Sequence, residues 1–472
     1  MDQGVWHGLG GMRDVVSINQ KPSWTSRSDE GPKMTQAIIP QDDKCNGWYH
    51  LLDEPPQARR LANRVVADWL VIGAGFTGLA AARRLGELRP HHQVVLLDAL
   101  RVGQGASGRN TGFVIDLPHK RDLEDNNIER KQKLLTLNRA AISDLDTLIK
   151  RHSIDCDWSL AGKYQGAVGE RGLKYLSGYE ALLKAFDYPY QRLEREALTP
   201  ILGTSHYAAA IYTPDTALMH PAALVRGLAA TLPENVQLFE NSAVVGLSRR
   251  NGYWHALTPE GEVQAKGLIL GSNIYSQEFG FLKNRILPVM TFASMTRQLT
   301  DQEMGLFTQA PHHFGLTPAD HAGTTVRLTP DRRLIIRNQY RFVPKYHDNL
   351  AGRMAIRQGH RNSFLARYPS LDHVPFDSTW GGACGLSRNF TPFFGEVGEQ
   401  AWMSGVHQSV GVARGTISGR LIAELATGQN SSQLADMLAV SGKPAINPPQ
   451  PFLGVGVRAR MSHAAWASRS EL

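Results

Sequence analysis

Cysteine is scarce in this chain of 472 residues: only Cys45, Cys156 and Cys384 occur, and no two stand at C-x-x-C spacing. That pattern argues against a disulfide framework or a zinc site and for a reducing compartment, so no metal is expected. Long hydrophobic runs are also missing. The most apolar stretch is broken by glycines before it reaches membrane-spanning length. No apolar leader segment precedes Lys33 either, and the expectation is a cytoplasmic chain without a transmembrane segment. A basic block is the third absence. The net charge is +8, but its basic residues are scattered, in doublets such as Arg249-Arg250 and Arg332-Arg333. This excludes the footprint of a nucleic-acid binder and leaves a solvated face or a mild attraction for anionic small molecules.

At 42% hydrophobic and 20% charged, the chain can bury a large core in two or three domains. Met1 to Lys33 is rich in Gly, Ser and charge and reads as a disordered or untranslated extension, with Met34 as a start. Residues 35–66 form an arm. Its Gly47-Trp48-Tyr49-His50-Leu51-Leu52 is too aromatic for a free tail and is expected to pack on the body.

The chain is organised around Ala67 to Asp98. An apolar strand, Ala67–Ile72, ends in Gly73-Ala74-Gly75-Phe76-Thr77-Gly78, a G-x-G-x-x-G turn. A helix follows and stops before Pro90, and a second strand, Val94–Leu97, ends at Asp98. This is the spacing of a dinucleotide-binding βαβ unit. Gly73 permits the tight turn, Gly75 lets backbone approach a pyrophosphate at the helix N-terminus, and Gly78 lets helix pack on strand. Asp98 stands where a carboxylate accepts both hydroxyls of an adenosine ribose and repels a 2′-phosphate, which favours FAD or NAD over NADP. Directly after it, Arg101 to Asn110 reads RVGQGASGRN. Small residues there allow close backbone approach, and Ser107, Arg109 and Asn110 offer donors to phosphate or to an isoalloxazine edge.

With this loop and the fingerprint before it, the chain resembles the D-amino-acid oxidase/glycine oxidase superfamily of FAD enzymes. The branch to which it is most similar is that of the γ-glutamylputrescine oxidases and bacterial L-pipecolate oxidases. The resemblance runs from residue 45 to the end and includes Trp380-Gly381-Gly382, Ser387 to Gly395, and Gly405 to Leu425, reading GVHQSVGVARGTISGRLIAEL. It implies an α/β fold, α+β overall. A Rossmann-like FAD domain would be assembled from segments 67–118, 206–275 and 379–442. A substrate domain with a mixed, largely antiparallel sheet would occupy 276–378, with a helical and β-ribbon segment at 119–205 and a tail with a helix at 443–472. The cofactor positions it implies are Gly73, Gly75, Phe76, Thr77, Gly78, Asp98 and Ala99, then Gly105, Ala106, Ser107, Arg109 and Asn110. Val244, at the adenine, and Gly411, Val412, Gly415 and Thr416, at the start of a late helix, complete them.

Candidates for substrate chemistry are Tyr164, Arg337, Tyr340, Arg388 and His407, with Arg297 behind them. Two positions depart from the family pattern, Ser387 for Thr and Asn389 for Asp, which puts a flavin contact at 389 in doubt. Covalent attachment through cysteine in sarcosine oxidases falls in register at Gly382 rather than Cys384, so noncovalent FAD is expected. The implied reaction passes hydride from the carbon beside an amine nitrogen to flavin N5, giving an imine, with O2 or another electron acceptor as the second partner. A compact imino acid such as L-pipecolate is slightly preferred over γ-glutamylputrescine. An NAD-dependent dehydrogenase and a noncatalytic flavoprotein stay open as alternatives, and the oligomeric state is left undetermined.

Overall fold

Strand Arg64–Ile72 lies between two parallel neighbours, Glu262–Leu270 and Val94–Leu97, in the computed structural model, which describes residues 38–54, 56–118 and 127–472. The expectations for the N-terminal extension and the Met34 start lie outside the described residues. Burial on both faces explains why this strand is an unbroken apolar run rather than an alternating one. On one face Trp69 and Val71 pack with the helices Phe76–Leu88, Ile128–His152 and Gly411–Ala426. Leu70 and Ile72 face the other side, against Trp254, Ala256 and Phe239.

The first sheet runs Phe393–Gly398, Ala401–Gly405, Glu262–Leu270, Arg64–Ile72, Val94–Leu97, Val236–Phe239. Its inner pairs are parallel, and a hairpin of Gly246–Arg250 and Tyr253–Leu257 extends it. The second sheet has eight strands, in the order Phe376–Leu386, Leu287–Thr296, Leu334–Phe342, Thr325–Leu328, Phe314–Pro318, Lys163–Ala167, Ala209–Thr213, Gln191–Glu194. All of its pairs are antiparallel except Phe314–Pro318 with Lys163–Ala167. Two boundaries therefore differ from the sequence reading. Ala209–Thr213 and Phe376–Leu386 hydrogen-bond into the second sheet, although the segments 206–275 and 379–442 were assigned to the nucleotide domain.

A loop precedes the strand Gly246–Arg250. Residues 242–245 are pulled into a loop because the Ser242 amide donates to the Asp98 carbonyl (2.8 Å) while that of Val245 donates to Leu257 (2.8 Å). The arm packs as its aromatic composition requires. Trp48 is 1% exposed, its indole N–H donates to the Asn110 carbonyl (2.8 Å), and Asn46 donates to the carbonyls of Gly103 and Gly108. A helix, Phe452–Ala467, lies in the tail.

Candidate active site

The G-x-G-x-x-G turn is set by sterics. Gly73 has φ +99°, and a Cβ on Gly78 would sit 1.7 Å from the Gly73 carbonyl oxygen. The loop 101–110 folds over this turn. Ser107 Oγ accepts from the Phe76 amide (3.1 Å), the first of the following helix, whose N-cap Gly75 has no side chain to bond the remaining amides. An uncapped helix N-terminus attracts an anion. Asp98 accepts from the amides of Ala74 (2.7 Å) and Leu100 (2.9 Å). Burial pushes its carboxyl up to about 6 in spite of those bonds, so it is ionised only above that pH.

A second uncapped helix, Gly411–Ala426, opens onto the same space from Val410. Its entry is shaped by left-handed residues that are not glycine, Val406 (φ 58°), Gln408 (55°) and Ser409 (67°). A β-branched residue in that region needs external support. Gln408 supplies part of it, donating to Ser387 Oγ (2.9 Å) and the Val406 carbonyl (3.0 Å). His407 supplies more, through Nε2 to Thr77 Oγ1 at 3.0 Å. Burial, with Arg414 nearby, pulls the His407 imidazole down to about 4. It is neutral at pH 7 and braces the two helix starts together.

These elements enclose a cavity of ≈ 1100 Å³ that extends from Asp98 and residues 242–244, past the glycine turn, to the face of the second sheet. Gly73, Gly75, Phe76, Thr77, Ala99 and Val244 border it, as do Gly105, Ala106, Ser107 and, at the second helix, Gly411 and Val412. At Gly105 and Gly411 a Cβ would meet no protein atom within 4 Å. A long cleft walled by bare backbone and two helix N-termini fits an extended dinucleotide.

Several expected contacts are spent on the protein itself. Arg109 donates to the carbonyls of Gln104 (2.6 Å) and Gly381 (3.1 Å) and pairs with Asp43 (2.7 Å), which ties the arm to both sheets instead of leaving a free donor. Asn110 donates to the Ser107 carbonyl and accepts from the Gly112 amide, closing its own loop. Gly415 and Thr416 lie off the cavity. A Cβ on Gly415 would be 3.0 Å from Thr77 Oγ1, and the Thr416 hydroxyl donates to the Val412 carbonyl (2.8 Å), so both serve helix packing. Asn389 is bonded to Lys443 and Ala445 of the tail, which removes it from the cavity.

The floor is the second sheet. Register pairs Arg337 with Ala293 and Thr325, Leu316 with Val326, and Gln165 with Thr317. One cross-strand row therefore runs Ala293, Arg337, Thr325, Thr317, Gln165, and every member borders the cavity. The Arg337 guanidinium donates to the Tyr340 hydroxyl (2.8 Å) and has no carboxylate partner among the described residues. Arg388, exposed, stands at the edge. Arg297 is elsewhere, in a bidentate pair with Glu303 (2.6 and 2.7 Å).

Tyr164 is a correction. Side chains alternate along a strand, and Tyr164 points into the apolar cluster with Tyr207 and Leu316, where burial raises its phenol to about 12. Its neighbours Lys163 and Gln165 face the cavity and were missed. The signal was present in Lys163-Tyr164-Gln165, where polar residues stand two apart around an apolar one.

Cys384 borders the cavity, its thiol donating to the Val289 carbonyl (3.3 Å) beside Ser409 Oγ (3.2 Å). Burial pushes the thiol up, so it is not a thiolate at neutral pH.

The family described as DAO, FAD dependent oxidoreductase, matches residues 68–425. The chain belongs to this family: it is an FAD-dependent amine or amino-acid oxidoreductase with FAD as its cofactor. A probable oxidoreductase of Haemophilus influenzae, OrdL, is 30% identical over 382 residues, covering 77% of this chain and 84% of that relative. The gamma-glutamylputrescine oxidoreductase of Escherichia coli is 26% identical over 376 residues, covering 78% of this chain and 85% of that protein. Among solved structures, glycine oxidase from Geobacillus kaustophilus has the same fold at a TM-score of 0.66 and 18% identity, covering 78% of this chain and 96% of that one. Among the described residues no helix is long and apolar enough to cross a membrane.

Proposed function

We propose that this chain oxidises the C–N bond of a carboxylate-bearing amine to an imine, with a compact cyclic imino acid such as L-pipecolate as preferred substrate and O2 or another acceptor taking the electrons. The observation that carries this reading is Arg337, an arginine on the cavity floor whose guanidinium is braced by Tyr340 yet lacks a carboxylate partner among the described residues. Noncovalent FAD supplies the two-electron acceptor. Asp98 would hold the ribose hydroxyls of the bound group, and the amides of the first helix would hold its pyrophosphate. The start of the Gly411–Ala426 helix, whose dipole favours negative charge, would stabilise charge gained by the cofactor on reduction. Arg337 binds the substrate carboxylate by charge-assisted bonds and turns the C–N bond toward that helix. No protein base is required, since the amine reacts neutral.

A γ-glutamylputrescine-type amine is the second reading. It is favoured by the relative of that name and by the polar floor, which continues beyond Arg337 to Gln165.

The test is anaerobic flavin bleaching and aerobic peroxide release across L-pipecolate, proline and γ-glutamylputrescine, with a dye acceptor in parallel. Bleaching by pipecolate and proline supports the compact substrate. Response to γ-glutamylputrescine alone supports the second reading, and silence with all amines overturns both. Arg337→Ala is expected to lose about 1.5–3 kcal/mol of substrate binding, read as a raised KM. An unchanged KM for a carboxylate substrate removes Arg337 as the anchor.

A further inference from the structure

Lys163 is a lysine that the chemistry described so far does not use. It is 2% exposed and borders the cavity. Its Nζ donates to Gln165 Oε1 (2.9 Å) and the Tyr179 hydroxyl (3.2 Å), both neutral, and stands 4.9 Å from the Tyr179 ring centroid. An ammonium has three donors, so one is left over.

No carboxylate pairs with Lys163 among the described residues. Asp116 acts on it through space, while its own Oδ2 accepts from the Tyr188 hydroxyl (2.7 Å) and lies 3.7 Å from Arg139. Thr213, paired with Lys163 on the neighbouring strand, and Tyr179, on the helix Glu170–Ala185, are neutral groups beside it. A buried cation without a counterion is unfavourable, and burial pulls this one down to about 8, so it still carries charge at pH 7.

Its position gives the surplus charge a purpose. Gln165 lies in the Arg337 row, three strands away, and Lys163 is two residues along on the same face. At strand spacing, the Arg337 and Lys163 strands stand about 14 Å apart across one cavity floor.

We infer that Lys163 is a specificity-determining residue that binds a second carboxylate of the substrate. Beside the compact imino acid this admits a further substrate class, an elongated amine with one carboxylate on Arg337, beside the reacting C–N bond, and another at the far end on Lys163. This rests on the proposed role of Arg337 and deepens it. A compact imino acid fills the Arg337 end alone.

The experiment uses the FAD-loaded enzyme and non-oxidisable probes, straight-chain dicarboxylates of increasing length and the monocarboxylates of matching length, titrated by their perturbation of flavin absorbance. Long dicarboxylates are expected to bind roughly tenfold tighter than matched monocarboxylates, the increment of one added ion pair. Lys163→Met should erase that increment while leaving monocarboxylate affinity unchanged, and Lys163→Arg should restore it. In the wild type the increment should fade as pH rises through about 8, and in Lys163→Arg it should persist. FAD content and melting temperature of each variant report folding. A dicarboxylate preference that survives Lys163→Met overturns the proposal, as does a preference absent from the wild type. If Arg337→Ala leaves monocarboxylate binding intact, the Arg337 anchor fails separately, and the Lys163 comparison still decides its own case.

Discussion

Single residues in the nucleotide cleft divide into those that meet protein and those that face only the cavity. Gly105 is of the second kind, since a Cβ there has no protein atom within 4 Å. Gly105→Val is therefore expected to keep the melting temperature of the apoprotein while losing FAD on gel filtration, measured as the ratio of flavin to protein absorbance. Equal FAD retention would move the dinucleotide elsewhere. Gly75→Val serves as the contrast, because its Cβ meets Ser107 Oγ at 2.6 Å and disturbs the loop as well as the cleft. At this scale the glycines of the turn and Asp98 were legible, because each answers a local backbone or charge requirement that spacing exposes. Arg109 was legible only as a loop donor, since its acceptors, Gly381 and Asp43, are far off in the chain.

At the scale of elements, two distant segments complete structures they do not belong to. The helix Glu170–Ala185 lacks a side-chain cap from Gly169. Glu471 provides one from the other end of the chain, accepting from the amides of Val168 (2.9 Å) and Gly169 (2.8 Å). Glu471→Ala should lower stability by about 1–3 kcal/mol by stranding those amides, seen as a lower urea midpoint at unchanged slope. The arm acts similarly on the second sheet. Trp48 packs with Ala293, Trp380 and Ala222, and Trp48→Ala is expected to cost about 3–5 kcal/mol in the same assay. A neutral result would mean the arm contributes no packing. Helix and strand positions in the fingerprint followed from the apolar runs and from the glycines and proline that bound them. The second sheet's claim on Ala209–Thr213 and Phe376–Leu386 did not, because sheet membership depends on partners remote in sequence.

At the scale of the whole molecule, folding must desolvate Lys163, a cation that borders the cavity with no carboxylate partner among the described residues. Its folded pKa of about 8 lies below the unfolded value of 10.5. Between those values the unfolded chain binds more protons, so this group's contribution to stability rises with pH through that window, and its penalty is complete below about 8. Lys163→Met should therefore be more stable than the wild type at pH 7, with the difference shrinking as pH rises from about 8 toward 10.5. Thermal melts of both apoproteins across that range measure it, and a difference independent of pH would show that Lys163 is not buried as a charge.

The sequence alone determined the βαβ unit, the acid at Asp98, the small-residue loop over the turn and the family to which the chain belongs. Each is encoded in contiguous residues whose sterics and hydrogen bonding are local. Tertiary structure decided which polar side chains face the substrate end. Tyr164 and Lys163 differ by one position on a strand, and only the packing of that strand, with Tyr207 and Leu316 on one side and the cavity on the other, turned the tyrosine inward and the lysine toward the cavity.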